Sequence, residues 1–259
     1  MKKLVAVGMV LSIILVSAVM VKADDTVEIE FSSSYLSKYI GENGVVWHNK
    51  SVVQTEVSIY SPSGFYVGGW HSTGIDKDVR GNDGAEIDIY LGWSGTIEWI
   101  DTHFAKDVEI DVGITYLDIP TLLNTKGDFL QPYVGVKKTF VLNESHEVAP
   151  YLRFEFPFPL AEDSPSGSWG VYGYLGVEHS WKLHEKVSLE HAIGVTYDGG
   201  AFDQEEGFVG LYKAQLKILL AKRLDINLGL LQVTTPISHM KDRDTEVVYG
   251  AGLALRWQF

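Results

Sequence analysis

Apolar and polar residues alternate along most of this chain with a period of two. The final stretch shows it without a break: Val247, Tyr249, Ala251, Leu253, Leu255, Trp257 and Phe259 fall on one side, Glu246, Val248, Gly250, Gly252, Ala254, Arg256 and Gln258 on the other. Successive side chains of a β-strand point to opposite faces, so this is a strand with one apolar face. Twelve segments read this way: 27–39, 52–61, 64–73, 85–94, 108–118, 129–142, 148–158, 169–183, 187–197, 208–220, 224–234 and 246–259. No capped amphipathic helix of useful length interrupts them. Long connections follow the odd-numbered strands. Tight turns follow the even ones, at Pro62-Ser63, 143–147, 184–186 and 221–223. The exception is 95–107, which stands where a short turn belongs but carries Trp99, Ile100, His103 and Phe104. It reads either as a bulged extension of the fifth strand or as a small helix. An even number of strands with alternating long and short connections predicts an all-β fold, a transmembrane antiparallel up-and-down β-barrel of about 12 strands.

Hairpin register tests the facial assignment, because paired residues must point the same way. A turn at 221–223 sets Leu220 against Leu224, Ile218 against Ile226, Leu216 against Leu228 and Ala214 against Leu230 on the apolar side, with Lys217 meeting Asn227 on the polar side. A turn at 184–186 sets Leu183 against Val187, Trp181 against Leu189, Val177 against Ile193, Leu175 against Val195 and Gly173 against Tyr197. An aromatic ring over a glycine, as in the last pair, fills a gap in a curved sheet.

Alternation alone does not separate a soluble sandwich, whose apolar faces form a core, from a membrane barrel, whose apolar face meets lipid while the polar face lines a lumen. Other features favour the barrel. Lys2 and Lys3 precede an apolar run over 4–21 and a Val-Lys-Ala segment before Asp24, as in a secretory signal peptide. Residues 1–23 are therefore expected to be removed, leaving 24–259 as one barrel; an uncleaved anchor is the alternative for a run of this length. There is no cysteine for a lipid anchor or a disulfide. Tyr35, Trp93, Tyr116, Phe154, Phe156, Phe158, Trp169, Trp181, Tyr197, Tyr249 and Trp257 gather near strand ends, as interfacial girdles do. Tyr249, Trp257 and the terminal Phe259 resemble the insertion signal read by the barrel assembly machinery. The expected location is the outer membrane of a Gram-negative bacterium, among its lipids and lipopolysaccharide. No strand face is conspicuously less lipid-compatible than its neighbours, which leaves the oligomeric state open.

Loss of Lys2, Lys3 and Lys22 with the leader leaves 18 basic residues against 34 acidic ones, a net charge of −16. Such a chain will not seek nucleic acid.

The stretch 39–54, YIGENGVVWHNKSVVQ, the run Gly64-Phe65-Tyr66-Val67-Gly68-Gly69-Trp70 and the strand 85–95, AEIDIYLGWSG, resemble the amino-terminal half of the TorF-like porins of proteobacterial outer membranes. The resemblance covers 30–118 in sequence and the remainder in architecture. It implies a barrel and a channel but no solute. The family's first loop carries an Arg-Gly that this chain lacks, having Gly44-Val45 with Trp47 nearby, so no role of that arginine carries over.

The polar faces supply the functional candidates. Strands one to five offer Glu28, Glu30, Glu56, Glu86, Asp88, Glu109 and Asp111, with Lys38 the main basic exception. Strands six to twelve offer Lys137, Arg153, Lys182, Lys213, Lys217 and Arg256, mixed with Glu155, Glu178, Glu190 and Asp225. Wrapped into a cylinder, these set an acidic wall opposite a more basic one, and such a transverse field orients dipolar solutes and replaces part of their hydration. The expectation is a porin-like channel for passive diffusion of small hydrophilic solutes, without cofactor or metal. Tyr60, Tyr90, Tyr133, Tyr151, Tyr172 and Tyr174 also point inward, as hydrogen-bonding or stacking surfaces or as packing. The competing reading is a lumen plugged by paired charges, with the loops serving as an adhesion or docking surface.

A lipid-modifying enzyme would need a Ser and a His at the lipid-facing rim. His179 and His191 stand opposite each other on the outward face, but Ser180 points inward. Two histidines lack an evident third ligand for a metal. They are read as rim residues in the interface, acting like the aromatics beside them. Lys138 also falls outward, either snorkelling to headgroups or on a bulge. The acidic stretches 76–84 and 198–207 lack the spacing of a dedicated calcium loop and are expected to be solvated loops.

Overall fold

The alternation resolves into twelve long antiparallel strands. The computed structural model describes residues 26–77, 85–96, 107–118, 128–160, 169–238, 240 and 243–259. The strands are β1 (Glu28–Leu36), β2 (Val52–Tyr60), β3 (Phe65–Gly74), β4 (Glu86–Thr96), β5 (Val108–Asp118), β6 (Phe129–Lys138), β7 (His146–Glu155), β8 (Tyr172–His184), β9 (Val187–Asp198), β10 (Gly207–Ala221), β11 (Leu224–Pro236) and β12 (Glu246–Gln258). Each pairs with its neighbours in sequence, and β1 pairs with β12 from Glu28 opposite Gln258 to Leu36 opposite Gly250. Val27 and Phe259 exchange backbone hydrogen bonds of 3.1 and 3.0 Å just beyond that seam. The sheet is thus a closed 12-stranded barrel with no free edge. The proposed leader 1–23 and the interior of the irregular connection 95–107 lie outside the described residues.

The outward faces carry a broad apolar surface. Leu175, Ile193 and Tyr249 are each more than 60% exposed. Leaving side chains of this size in water forgoes about 1.5–3 kcal/mol apiece, and a band this extensive suits lipid.

Register agrees with the sequence reading over most of both hairpins and departs at three pairs. In β8–β9, Trp181 opposes Leu189, Val177 opposes Ile193, Leu175 opposes Val195 and Gly173 opposes Tyr197. Beside the turn, however, His184 rather than Leu183 pairs with Val187, across a register shift after Lys182. In β10–β11, Ile218 opposes Ile226, Lys217 opposes Asn227 and Leu216 opposes Leu228, but Ala221 takes Leu224 and Ala214 takes Leu231. The shift that sets Ala214 against Leu231 has a visible cause: Gly229, at φ 58°, adopts a left-handed conformation and inserts an extra residue into β11. Lys138 lies outward without a bulge, because Lys137 opposite Tyr151 and Phe140 opposite Val148 keep one register. Its ammonium sits 5.3 Å from the centre of the Phe140 ring.

The end bearing the long connections holds a second layer. After β1 the chain turns into a small hairpin, Tyr39–Ile40 against Val46–His48. After β9 a helical turn, Ala201–Asp203, follows left-handed Gly200. Phe202 and Ala201 join Leu117, Phe129, Tyr172 and Tyr174 in one buried cluster, with Trp47 of the hairpin and Tyr151 packed against it. The Phe129 and Phe202 rings are 4.3 Å apart, and Trp47 meets Phe202 edge-on at 5.8 Å. The stretch 198–207 is therefore not the solvated loop its acidic composition suggests: burial of Phe202, worth about 2–3 kcal/mol, draws it into the barrel mouth.

Candidate functional site

The interior divides into a filled end and an open end. At the filled end one buried ion pair ties three loops together. Asp198, the last residue of β9, accepts 3.0 Å hydrogen bonds from Nη2 of Arg243, Nδ2 of Asn43 and the backbone N–H of Gly200. Arg243 also donates from Nε to the Asn43 carbonyl at 3.1 Å and from Nη1 to Gln204 at 3.2 Å. The side chains of Arg243 and Asp198 are 1% and 0% exposed. A charge pair that dry persists only because its donors and acceptors are engaged on several sides.

The hairpin after β1 is held against both walls. Glu42 forms an ion pair with Lys213 of β10. Gln232 of β11 donates to the carbonyls of Ile40 and Gly41 at 3.3 and 3.4 Å. On the opposite wall the Tyr39 hydroxyl donates to Glu86 at 2.7 Å. Burial, and then the charges of Glu86 and Asp88, push the Tyr39 phenol well above its ordinary pKa, so it remains a donor. Burial raises the Glu42 carboxyl, but Lys213 outweighs that and holds it below the ordinary value. Both partners of that pair keep 40% exposure, so the contact is wet.

Towards the short turns the interior opens into chambers lined by many of the charged residues singled out above. On one side an ionic ladder crosses five strands: Arg256 bridges Glu30 at 3.0 Å and Asp225 at 3.7 Å, and Lys217 bridges Asp225 at 3.8 Å and Glu190 at 3.7 Å. This side contains a chamber of 440 Å³, into which Lys182 projects, and one of 670 Å³ that reaches Lys213. Lys137 and Glu178 approach to 3.9 Å there and Glu28 accepts from Gln258 at 3.0 Å, whereas Lys38 meets Glu246 at 2.5 Å at the end bearing the long connections.

The other side is built on tyrosine and glycine. Tyr66, Gly92, Gly113 and Tyr133 form one row across β3 to β6, and the two hydroxyls meet over the glycines. A Cβ at Gly113 would lie 2.2 Å from the Tyr133 hydroxyl, and one at Gly68 2.3 Å from that of Tyr90. The hydroxyl ends of the rings therefore occupy the space that the missing Cβ atoms leave. Tyr66 donates to Asp111, Tyr90 to Glu56 and Tyr174 to Glu155. Glu109 accepts from Ser94 at 3.4 Å. Arg153, packed over Gly135, lies 2.8 Å from Glu155 and 3.8 Å from Asp111, with its guanidinium 4.2 Å from the Tyr133 ring centre.

A third outward histidine joins the pair His179 and His191. His146 Nδ1 lies 3.0 Å from His179 Nε2, and His179 Nδ1 lies 2.6 Å from His191 Nε2, with Trp181 stacked on His146 at 5.4 Å. The imidazoles form a string rather than converging on a point. Among the described residues no set of three metal-ligating side chains is arranged around an ion.

Sequence reasoning missed Arg243, Asn43 and Glu42, which lie in loops where alternation carries no signal. It also left Tyr66 out of the inward set, although the alternation of β3 places it with Gly68 and Trp70. His146 was hidden by reading 143–147 as a turn.

This architecture is that of the bacterial outer-membrane barrels. The NanC porin matches with a TM-score of 0.54 at 10% identity, over 88% of this chain and 98% of that one. An outer membrane channel from Pseudomonas putida F1 matches at 0.52 and 8%, over 90% and 95%. The translocator domain of the autotransporter NalP from Neisseria meningitidis matches at 0.51 and 12%, over 99% and 98%. At such identities the likeness is one of fold. In sequence, residues 22–148 match a family described as a bacterial protein of unknown function, Gcw_chp, spanning the segment on which the TorF-like resemblance rests. No curated protein matches the chain.

Proposed function

We propose that the protein is an outer-membrane channel related to the TorF-like porins, passing small hydrophilic solutes by diffusion along its charged inner wall, with the loops after β1, β9 and β11 acting as a latch on the outer mouth. On this reading the long connections face the outside among lipopolysaccharide, the short turns face the periplasm, and Tyr249, Trp257 and Phe259 present the insertion signal to the assembly machinery. The carrying observation is the division of the interior: wet, charge-lined chambers fill the short-turn half, and one compact set of contacts fills the other. Charged side chains kept in water along a closed wall serve passage better than packing, which apolar residues would do at lower cost.

Single-channel conductance of the refolded protein in a planar bilayer tests this. Discrete steps are expected, larger or more frequent in Arg243→Ala, and the reversal potential in a salt gradient gives the selectivity. Silence from both folded proteins would sink the proposal. The filled mouth favours a second reading, a plugged barrel that docks a partner through its loops. Loop deletions that abolish such binding and spare conductance would support that function beside transport.

A further inference from the structure

We infer that the tyrosine-lined recess between β2 and β7 is a binding site for small organic cations bearing ammonium or guanidinium groups. The inference names a solute class for the proposed channel, but the site itself rests on geometry that does not require conduction. The recess has a volume of about 560 Å³, enough for a short polyamine.

Three features converge. First, Glu56 is oriented by a tyrosine hydroxyl and Glu109 by a serine. A neutral donor fixes a carboxylate without cancelling its charge, whereas on the opposite wall Arg256 and Lys217 do cancel it. Second, Tyr66, Tyr90 and Tyr133 reach across glycines on neighbouring strands and line the recess, and a ring face attracts cations through its quadrupole. Third, the protein already places a cation there. The Arg153 guanidinium lies 4.2 Å from the centre of the Tyr133 ring and 3.8 Å from Asp111. It occupies one ring face and faces one carboxylate. The rings of Tyr66 and Tyr90, with Glu56 and Glu109, line the rest of the recess and offer the same chemistry to a solute.

The test is calorimetric titration of the folded barrel in detergent micelles with spermidine, alongside acetate as an anionic control. Spermidine binding without acetate binding is expected. Glu109→Gln combined with Glu56→Gln should weaken it about tenfold, a typical loss for removing charged partners from a partly wet site. Arg153→Met removes the resident cation, so it should tighten spermidine binding several-fold. Strand content and heat-modifiable gel migration verify that each variant has folded. If Arg153→Met does not fold, the same sign is read from Arg153→Gln, which removes the charge but keeps a polar side chain beside Glu155 and should likewise tighten spermidine binding. No spermidine binding by the folded wild type would overturn the inference, as would indifference to the glutamate changes or weaker binding in Arg153→Met. Spermidine binding by a barrel silent in bilayers would sink the channel and leave the site; conductance without spermidine binding would do the reverse.

Discussion

The two halves of this barrel solve opposite problems with the same strands. Towards the long loops, Asp198, Thr196, Thr234, Ser72 and His48 are no more than 1% exposed, enclosed by loop residues folded inward. Towards the short turns, Glu147 and Glu178 stay exposed although they point into the barrel. The difference lies in what the loops bring. The long connections carry Val45, Trp47, Ala201 and Phe202, which gain by leaving water; the turns at 62–63, 185–186 and 222–223 are too short to reach inward. Filling is thus a property of loop composition, and the open half shows what the bare wall looks like.

The largest expected effect on this contrast comes from Arg243→Ala. It strands the Asp198 charge in a dry site, a change worth about 3–5 kcal/mol. Hydrogen exchange should accelerate across residues 39–48 and 198–204 while β2 to β5 near the short turns stay protected. Unchanged protection at 39–48 would mean that the ion pair does not hold the plug.

Phe202→Ala should follow at about 3 kcal/mol, by loss of buried area and the void left against Phe129 and Trp47. Exchange in the helical turn and in the hairpin should rise together. A rise confined to 201–203 would show that the two inserted loops dock independently.

Gly113→Ala sharpens the comparison from the open side. Its Cβ would fall 2.6 Å from the Leu91 carbonyl as well as against Tyr133, so about 1–3 kcal/mol of barrel stability should be lost. Urea unfolding from vesicles measures this, with exchange at 39–48 expected to stay as in the parent.

Lys213→Met should matter less, under about 1 kcal/mol, because the Glu42 pair is wet. Its signature is in pH. The Glu42 carboxyl is held below its ordinary value, so the stabilisation is complete above about pH 4.3 and is lost as pH falls through the lower folded value. In the variant, protection of the hairpin should lose this acid-dependent component. A variant as acid-sensitive as the parent would assign the dependence to other carboxylates.

The smallest effect is expected from replacing His179 and His191 by phenylalanine. Assembly and heat-modifiable migration should persist, with stability changed by about 0.5 kcal/mol or less. Failure to fold would show that the imidazole string is structural.

The strands were legible because one force, the sorting of apolar and polar residues to two faces, acts at every second position. The shift at Gly229 was not, since a glycine in a strand looks the same whether or not it bulges. The inserted loops left a trace that composition obscured: Val45-Val46-Trp47 and Ala201-Phe202 are poor sequences for solvated loops, yet acidic neighbours outweighed them in the reading. Arg243 left no trace. Its meaning depends on Asp198 and Asn43 arriving from 45 and 200 positions away in the chain.

That separation also sets an order of events. Contacts between residues so distant form only after the intervening chain has been arranged, and here that arrangement is the closed wall itself. The clasp at Asp198 needs β9 beside β10 and the loop after β11 above them, while the hairpin it receives follows β1, whose final partner is β12. A newly made barrel therefore passes through an interval in which it is sealed around its circumference and uncapped at its mouth. During assembly, then, the molecule is a pipe before it is a vessel with a lid.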